Sequence, residues 1–275
     1  MIPAAPVTLN DSREMPQLGL GVWQTPNDQA AVVVGSALAA GYRLVDTAAL
    51  YGNERGVGLG VRESGVPRAD LFVTTKLWND RQGHASALQA FERSLDRLGL
   101  DYVDLYLIHW PAPARGLYLE TWRALAELQA DGRARSIGVS NFGADELRRL
   151  IDETGMTPAI NQIELHPRFQ QKALRNFHQT QGIATQSWSP LGQGLLLDDP
   201  VIARIAARHA RTPAQVILRW HLDLGLAAIP KSASPGRIRE NFAVFDFALD
   251  PDDLAAIDAL DDPHGRIGPD PRVFS

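Results

Sequence analysis

From Leu71 to His109 the chain reads LFVTTKLWNDRQGHASALQAFERSLDRLGLDYVDLYLIH, and this stretch decides the fold. It opens on an apolar run ending at Lys76 and closes on a second, DLYLIH, ending at His109. Between them ALQAFERSLDRLGL places Leu88, Phe91, Leu95 and Leu98 at three- and four-residue steps, which marks one buried face of a helix stopped by Gly99. A strand, a helix and a second strand in this order form a unit with parallel strands.

Working outward, the same rhythm recurs. Apolar runs start at Leu18 (LGLGV) or end at Asp46 (RLVD), Ser140 (RSIGVS), Glu164 (AINQIE), Trp188 (ATQSW) and Lys231 (LAAIPK), giving eight candidate strands with no ninth. Gly132 marks another helix stop, and Asp28 and Asp145 are candidate helix caps. Upstream, VTLNDSREMPQLG reads as a β-hairpin turning at Asn10 and Asp11. The expectation is an α/β fold, a (β/α)8 TIM barrel formed by residues 1–275 as one domain, with the hairpin closing its floor.

Composition excludes several classes of function. The 27 basic and 32 acidic residues leave a net charge of −5, without the basic excess that binding nucleic acid requires. No cysteine is present, which removes disulfides and thiolate metal sites and suits a reducing, cytoplasmic address. The apolar stretches are too short to span a membrane, and the N-terminal MIPAAPVTLN does not read as an export signal. The seven histidines show neither HxH nor HExxH spacing, so no metal is expected. A monomer is expected.

In such a barrel, catalytic groups come from the C-terminal ends of the strands. Asp46, Lys76, His109 and Ser140 with Asn141 fall there, and Gln162 lies within the sixth strand. One polar residue at a strand end is commonly just a solvated loop residue. Several at one mouth point to a site. The chain has no G-x-G-x-x-G, and its nearest approach to a P-loop, GLAAIPKS, carries Pro230 in place of the required glycine. Phosphate is therefore expected at the loops after the seventh and eighth strands, where Lys231, Ser232 and Arg237 combine charge and donors suited to a 2′-phosphate.

The segments GYRLVDTAALYGNERGVG from Gly41, RSIGVSNF from Arg135 and IPKSASPGRIREN from Ile229 resemble three long signatures of the aldo-keto reductase superfamily. TTKLWNDR, DLYLIHWP, NQIELHP and SWSPLGQG resemble its bacterial branch containing 2,5-diketo-D-gluconate reductases. This resemblance implies NADPH-dependent reduction of aldehydes or ketones, small dicarbonyls or keto-sugar acids such as 2,5-diketo-D-gluconate among them. It implies a tetrad of Asp46, Tyr51, Lys76 and His109. A free tyrosine, with a pKa of about 10, is a poor acid at neutral pH unless a neighbouring cation stabilises its phenolate. Lys76 would supply that cation, Asp46 would neutralise and orient it, and His109 would fix the carbonyl oxygen.

The resemblance also implies Ser140, Asn141 and Gln162 on the nicotinamide carboxamide of NADP(H), Trp188 as the platform of its ring, and Glu240 and Asn241 at the adenine. Ser189, Leu191 and Gln193, in the loop after the seventh strand, complete the cofactor site. Trp23, Leu50, Trp78 and Trp110 are expected to line the substrate pocket with His109. Phe142 and the tail from Gly265 to Ser275 are placed at its outer rim, where substrate choice is expected. Two rivals from other classes are a cofactor-loaded regulatory or redox-sensing subunit with little turnover, which an intact tetrad disfavours, and a metal-dependent barrel hydrolase.

Overall fold

The computed structural model describes residues 6–275. Strands β1 (Val7–Thr8) and β2 (Glu14–Met15) form the expected antiparallel hairpin. Eight parallel strands follow: β3 (Leu20–Gly21), β4 (Leu44–Asp46), β5 (Phe72–Leu77), β6 (Val103–Ile108), β7 (Ala134–Ser140), β8 (Ile160–Glu164), β9 (Ala184–Trp188) and β10 (Ala227–Ala228). Each pairs with the next in sequence. The edges meet where the Gly19 N–H donates to Ala228 O (2.9 Å) and the Gly21 N–H to Pro230 O (3.1 Å), so the sheet closes.

Every residue of β5 and of β6 is buried, as strands covered on both faces must be. The covering helices include α1 (Asn27–Ala40), α2 (Glu54–Glu63), α3 (His84–Leu98), α4 (Tyr118–Ala130) and α5 (Ala144–Thr154). The second half of the chain adds α6 (Lys172–Gln181), α7 (Pro200–His209), α8 (Pro213–Asp223), α9 (Pro235–Phe242) and α10 (Pro251–Asp258). Phe91, Leu95 and Leu98 form the buried stripe of α3, and Gly99 ends that helix at φ 62°, in the left-handed region that glycine enters without a Cβ clash.

The first strand is shorter than LGLGV suggests: it is regular only over Leu20–Gly21, and Leu18 and Gly21 meet the last strand through isolated bridges to Ala228 and Lys231. A Cβ on Gly19 would collide with Leu44, and one on Gly21 would lie 2.8 Å from Ile229 O. The helix caps also differ from expectation. Asp28 and Asp145 lie inside their first turns, where acidic groups favour the positive end of the helix dipole, and neither caps by a side-chain hydrogen bond. In α5 it is Glu146 that reaches back, accepting the Gly143 N–H at 3.1 Å, while Asp145 pairs with Arg148 at 2.7 Å.

The hairpin packs Leu9 and Met15 against Leu44, Phe72, Leu105 and Ile160 inside the strands. Asn10 Nδ2 donates to Pro158 O (3.0 Å) and Arg13 Nε to Arg135 O (3.0 Å), both near the starts of strands. The floor is thereby shut, and the open mouth lies at the C-terminal strand ends. Among the described residues no helix is long and apolar enough to cross a membrane.

Candidate active site

β4 ends at Asp46, and a single 3-10 turn, Ala49–Tyr51, returns the chain over the mouth before Gly52 releases it at φ 67°. This short excursion brings Tyr51 above the side chain of Lys76 in the neighbouring strand. Lys76 Nζ lies 3.5 Å from the Tyr51 hydroxyl, donates to Thr47 O at 3.0 Å, and is ion-paired with Asp46 Oδ1. The Lys76 side chain has no solvent exposure and that of Asp46 almost none. Removing one partner of such a buried pair strands the other charge, typically at about 3–5 kcal/mol.

Burial dominates the titration of the group. It pushes the Tyr51 phenol above its ordinary range; Lys76 opposes that push and Asp46 adds to it. Burial likewise lifts the Asp46 carboxyl, against the pull of Lys76 and a hydrogen bond from Gln162. Burial works against the Lys76 ammonium, but Asp46 and Tyr51 outweigh it and hold the lysine charged. His109, just past β6, is driven well below its usual value by burial and then by Lys76, so its imidazole is neutral at physiological pH. Its ring stands edge-on to Tyr51, with centroids 5.7 Å apart. The structure thus brings Asp46, Tyr51, Lys76 and His109 together.

The neighbouring strand ends are bound to one another. Asn141 Nδ2 donates to His109 O (3.0 Å) and to Ser140 Oγ (3.1 Å), while its Oδ1 accepts the Trp188 indole N–H at 2.7 Å. Ser140 Oγ donates to Gln162 O (2.8 Å), and Gln162 Nε2 donates to Asp46 Oδ2 (2.8 Å). Ser140, Asn141, Gln162 and Trp188 therefore border one cavity of about 300 Å³. Trp23, Leu50, Trp78, His109 and Trp110 line it too.

That cavity opens into a trough of about 930 Å³ bordered by Ser189, Leu191, Gln193, Lys231, Ser232, Arg237, Glu240 and Asn241. Ser189, Gln193, Lys231 and Trp23 line both spaces, so the two are continuous. Lys231 and Arg237 are exposed, and among the described residues neither has an acidic partner within ion-pair reach. Glu240, at the same wall, accepts the Thr212 hydroxyl at Oε1 (2.8 Å) and, among the described residues, pairs with neither cation. Unpaired cations over buried Ser232 and Asn241 fit the phosphate and adenosine end of a phosphorylated dinucleotide. Among the described residues no cluster of metal-ligating side chains forms.

Two expectations about the rim divide. Phe142 is not there: it is buried against Tyr118, with centroids 5.5 Å apart, because the left-handed turn at Asn141 (φ 65°), just past β7, directs it toward the helical layer. The tail is there, and its Pro269 and Phe274 line the cavity. Phe274 stacks 4.6 Å from Trp110 and 6.1 Å from Trp78. A further residue, Asn53, escaped the sequence reading although it lies within the quoted NERGVG run. Fully buried, it donates to Val22 O (2.9 Å) and Thr25 O (3.0 Å) and accepts from Thr47 Oγ1 (2.7 Å). It ties the loop after β4 to the loop after β3.

Fold and mouth together define an α/β-barrel enzyme of the oxidoreductase type. A model described as the aldo/keto reductase family matches residues 16–262, and the chain belongs to that family. It is 55% identical over 269 residues to an aldo-keto reductase of Mycobacterium sp. (strain JLS), covering 98% of this chain and 97% of that protein. It is 54% identical over 270 residues to the methylglyoxal reductase DkgA of Yersinia pestis, covering 98% and 96%. Among solved structures, a variant of Gox0644 in complex with NADPH superposes with a TM-score of 0.96 at 53% identity, covering 99% of each chain. A Bombyx mori aldo-keto reductase in complex with NADP gives 0.90 at 38% identity, covering 96% and 95%.

Proposed function

We propose that this protein reduces aldehydes and ketones to alcohols with NADPH, and that its substrates are small: α-dicarbonyls foremost, with keto-sugar acids such as 2,5-diketo-D-gluconate as candidates. The observation that carries this reading is the Tyr51 hydroxyl 3.5 Å from a fully buried lysine, at the base of a cavity of about 300 Å³ walled largely by aromatic rings. When bound, the dihydronicotinamide supplies a hydride to the carbonyl carbon. Tyr51 gives its phenolic proton to the carbonyl oxygen, and Lys76 stabilises the phenolate left behind. Asp46 keeps that lysine charged and in place. His109, neutral at working pH, offers a ring N–H to the same oxygen and fixes the angle of approach.

For the cofactor, Lys231, Ser232 and Arg237 are assigned to the 2′-phosphate and Glu240 and Asn241 to the adenine. Ser140, Asn141 and Gln162 are assigned to the carboxamide, and Trp188 to the ring face. The relatives named for methylglyoxal reduction and for NADPH complexes support this assignment. The test is loss of reduced-nicotinamide absorbance with a panel of methylglyoxal, larger α-ketoaldehydes and 2,5-diketo-D-gluconate, run beside Tyr51→Phe. Turnover that vanishes in the variant supports the reading. Silence of folded, cofactor-loaded wild type across the panel would overturn it.

A further inference from the structure

The C-terminal tail is fastened to the barrel at a carboxylate, next to Arg266, whose guanidinium lies 4.6 Å from the centroid of the Phe169 ring. Glu164 ends β8 with its side chain fully buried, and its oxygens accept the backbone N–H groups of Ile267 (2.6 Å) and Gly268 (2.9 Å). His166 Nε2 lies 3.2 Å from the first of these oxygens. Beyond Gly268, among the described residues, the tail hydrogen-bonds only to itself: the N–H groups of Arg272, Val273 and Phe274 all return to Asp270. Apart from this turn, residues 269–275 are held over the mouth by the Phe274 ring against Trp110 and Trp78.

Gly268 fits where it does only because it lacks a side chain. A Cβ there would lie 2.5 Å from the Trp188 ring and 2.9 Å from Glu164 Oε2. One short segment thus packs between the latch and the tryptophan that borders the cavity. A buried carboxylate deprived of its donors keeps the full cost of its desolvation, so release of the tail is opposed at Glu164 itself.

We infer that Glu164 is a specificity-determining positioning residue: by latching Ile267 and Gly268 it seats Pro269 and Phe274 on the cavity, and so limits the size of the carbonyl compound accepted. Glu164 does not itself line the cavity. The kinetic half of this inference rests on the carbonyl-reductase reading; the latch does not.

The test uses full-length protein with NADPH present. Trypsin cleavage between Arg266 and Ile267, whose amide Glu164 holds, is followed by mass spectrometry in wild type, Glu164→Gln and Gly268→Ala. Both substitutions are expected to speed this cut by about tenfold or more, since each removes or displaces hydrogen bonds to a buried carboxylate. In parallel, the ratio of kcat/KM for phenylglyoxal to that for methylglyoxal is compared in wild type, Glu164→Gln, Phe274→Ala and the double variant. Glu164→Gln should move the ratio in the same direction as Phe274→Ala, and the double variant should add little to either.

An unchanged cut rate in both latch variants overturns the latch, whatever the activity. Faster cutting with unchanged selectivity, or selectivity effects that multiply in the double variant, overturns the specificity role. A wild type inactive on both ketoaldehydes would count against the carbonyl reading instead, while the cleavage rates would still decide the latch.

Discussion

Gln162 Nε2 donates to Asp46 Oδ2 at 2.8 Å and to Gln186 Oε1 at 2.6 Å. Both of its amide protons are therefore committed inside the barrel, and Oε1 is what remains for a carboxamide. The residue joins the cofactor end of the cavity to the Asp46–Lys76 pair. Replacing it by leucine removes one of the bonds that favours the Asp46 carboxylate and holds it beside Lys76, so turnover should fall together with cofactor binding. A hydrogen bond to a charged group is worth about 1.5–3 kcal/mol, and kcat is expected to fall about tenfold or more. Kinetics and NADPH titration of Gln162→Leu check this; a change in NADPH affinity alone would leave Gln162 no part in tuning Asp46.

Tyr51→Phe should lower kcat by about two to four powers of ten while leaving the NADPH dissociation constant nearly unchanged, because it deletes the acid and nothing in the trough. Lys76→Met is expected to act through the same proton. Lys76 pulls the Tyr51 pKa down against burial, so its loss must raise that pKa further. In the reverse oxidation of an alcohol, which needs the phenolate, the limb on which the rate rises with pH should move to higher pH. An unmoved limb would confine Lys76 to a packing role.

Much of this site is written in short range, and part of it is not. Buried parallel strands read as apolar runs, and Asp46, Lys76, His109 and Gln162 stand out because polar side chains fall near their C-terminal ends. Asn53 does not stand out, since its partners Val22 and Thr25 lie 31 and 28 residues away and nothing in its own neighbourhood names them. Glu164 reads only as the end of a strand, because its two donors come 103 and 104 residues later. Phe142 was misplaced for a related reason. Strand alternation shows that neighbouring side chains point to opposite faces, but Phe142 sits just beyond β7, where the turn at Asn141 (φ 65°) resets the direction.

Acid should destabilise the fold early. His178 and His221 are buried neutral, with pKa values lowered to about 4 and about 3, and His109 is lowered well below its usual value. The unfolded chain takes up these protons near pH 6.5, whereas the folded chain does not. Their contribution is thus fully present above pH 6.5 and is lost progressively as pH falls toward the folded values. Each histidine contributes a slope of up to about 1.4 kcal/mol per pH unit in that window. Urea midpoints measured between pH 7.5 and 4.5 should fall steadily below pH 6.5, and His221→Asn should flatten the decline. A flat midpoint over this range would mean the three rings are protonated in the folded protein.

Cofactor choice turns on Arg237. NADPH differs from NADH by a 2′-phosphate, and a site that selects it presents cations where an NADH site presents a carboxylate. Arg237 lies in the first turn of α9 and lines the trough with Lys231, two cations against one acidic residue, Glu240, among the described residues of that wall. Arg239 belongs to the same helix but does not line the trough, which makes it the internal control. Loss of the Arg237 guanidinium removes charge-assisted hydrogen bonds of about 1.5–3 kcal/mol, so NADPH should bind Arg237→Ala about tenfold to a hundredfold more weakly. NADH offers that side chain no phosphate, and its affinity should barely change. Arg239→Ala should leave both cofactors as they are. Dissociation constants from quenching of tryptophan fluorescence separate the outcomes: equal weakening of both cofactors in Arg237→Ala, or a wild type that prefers NADH, would move the 2′-phosphate site elsewhere.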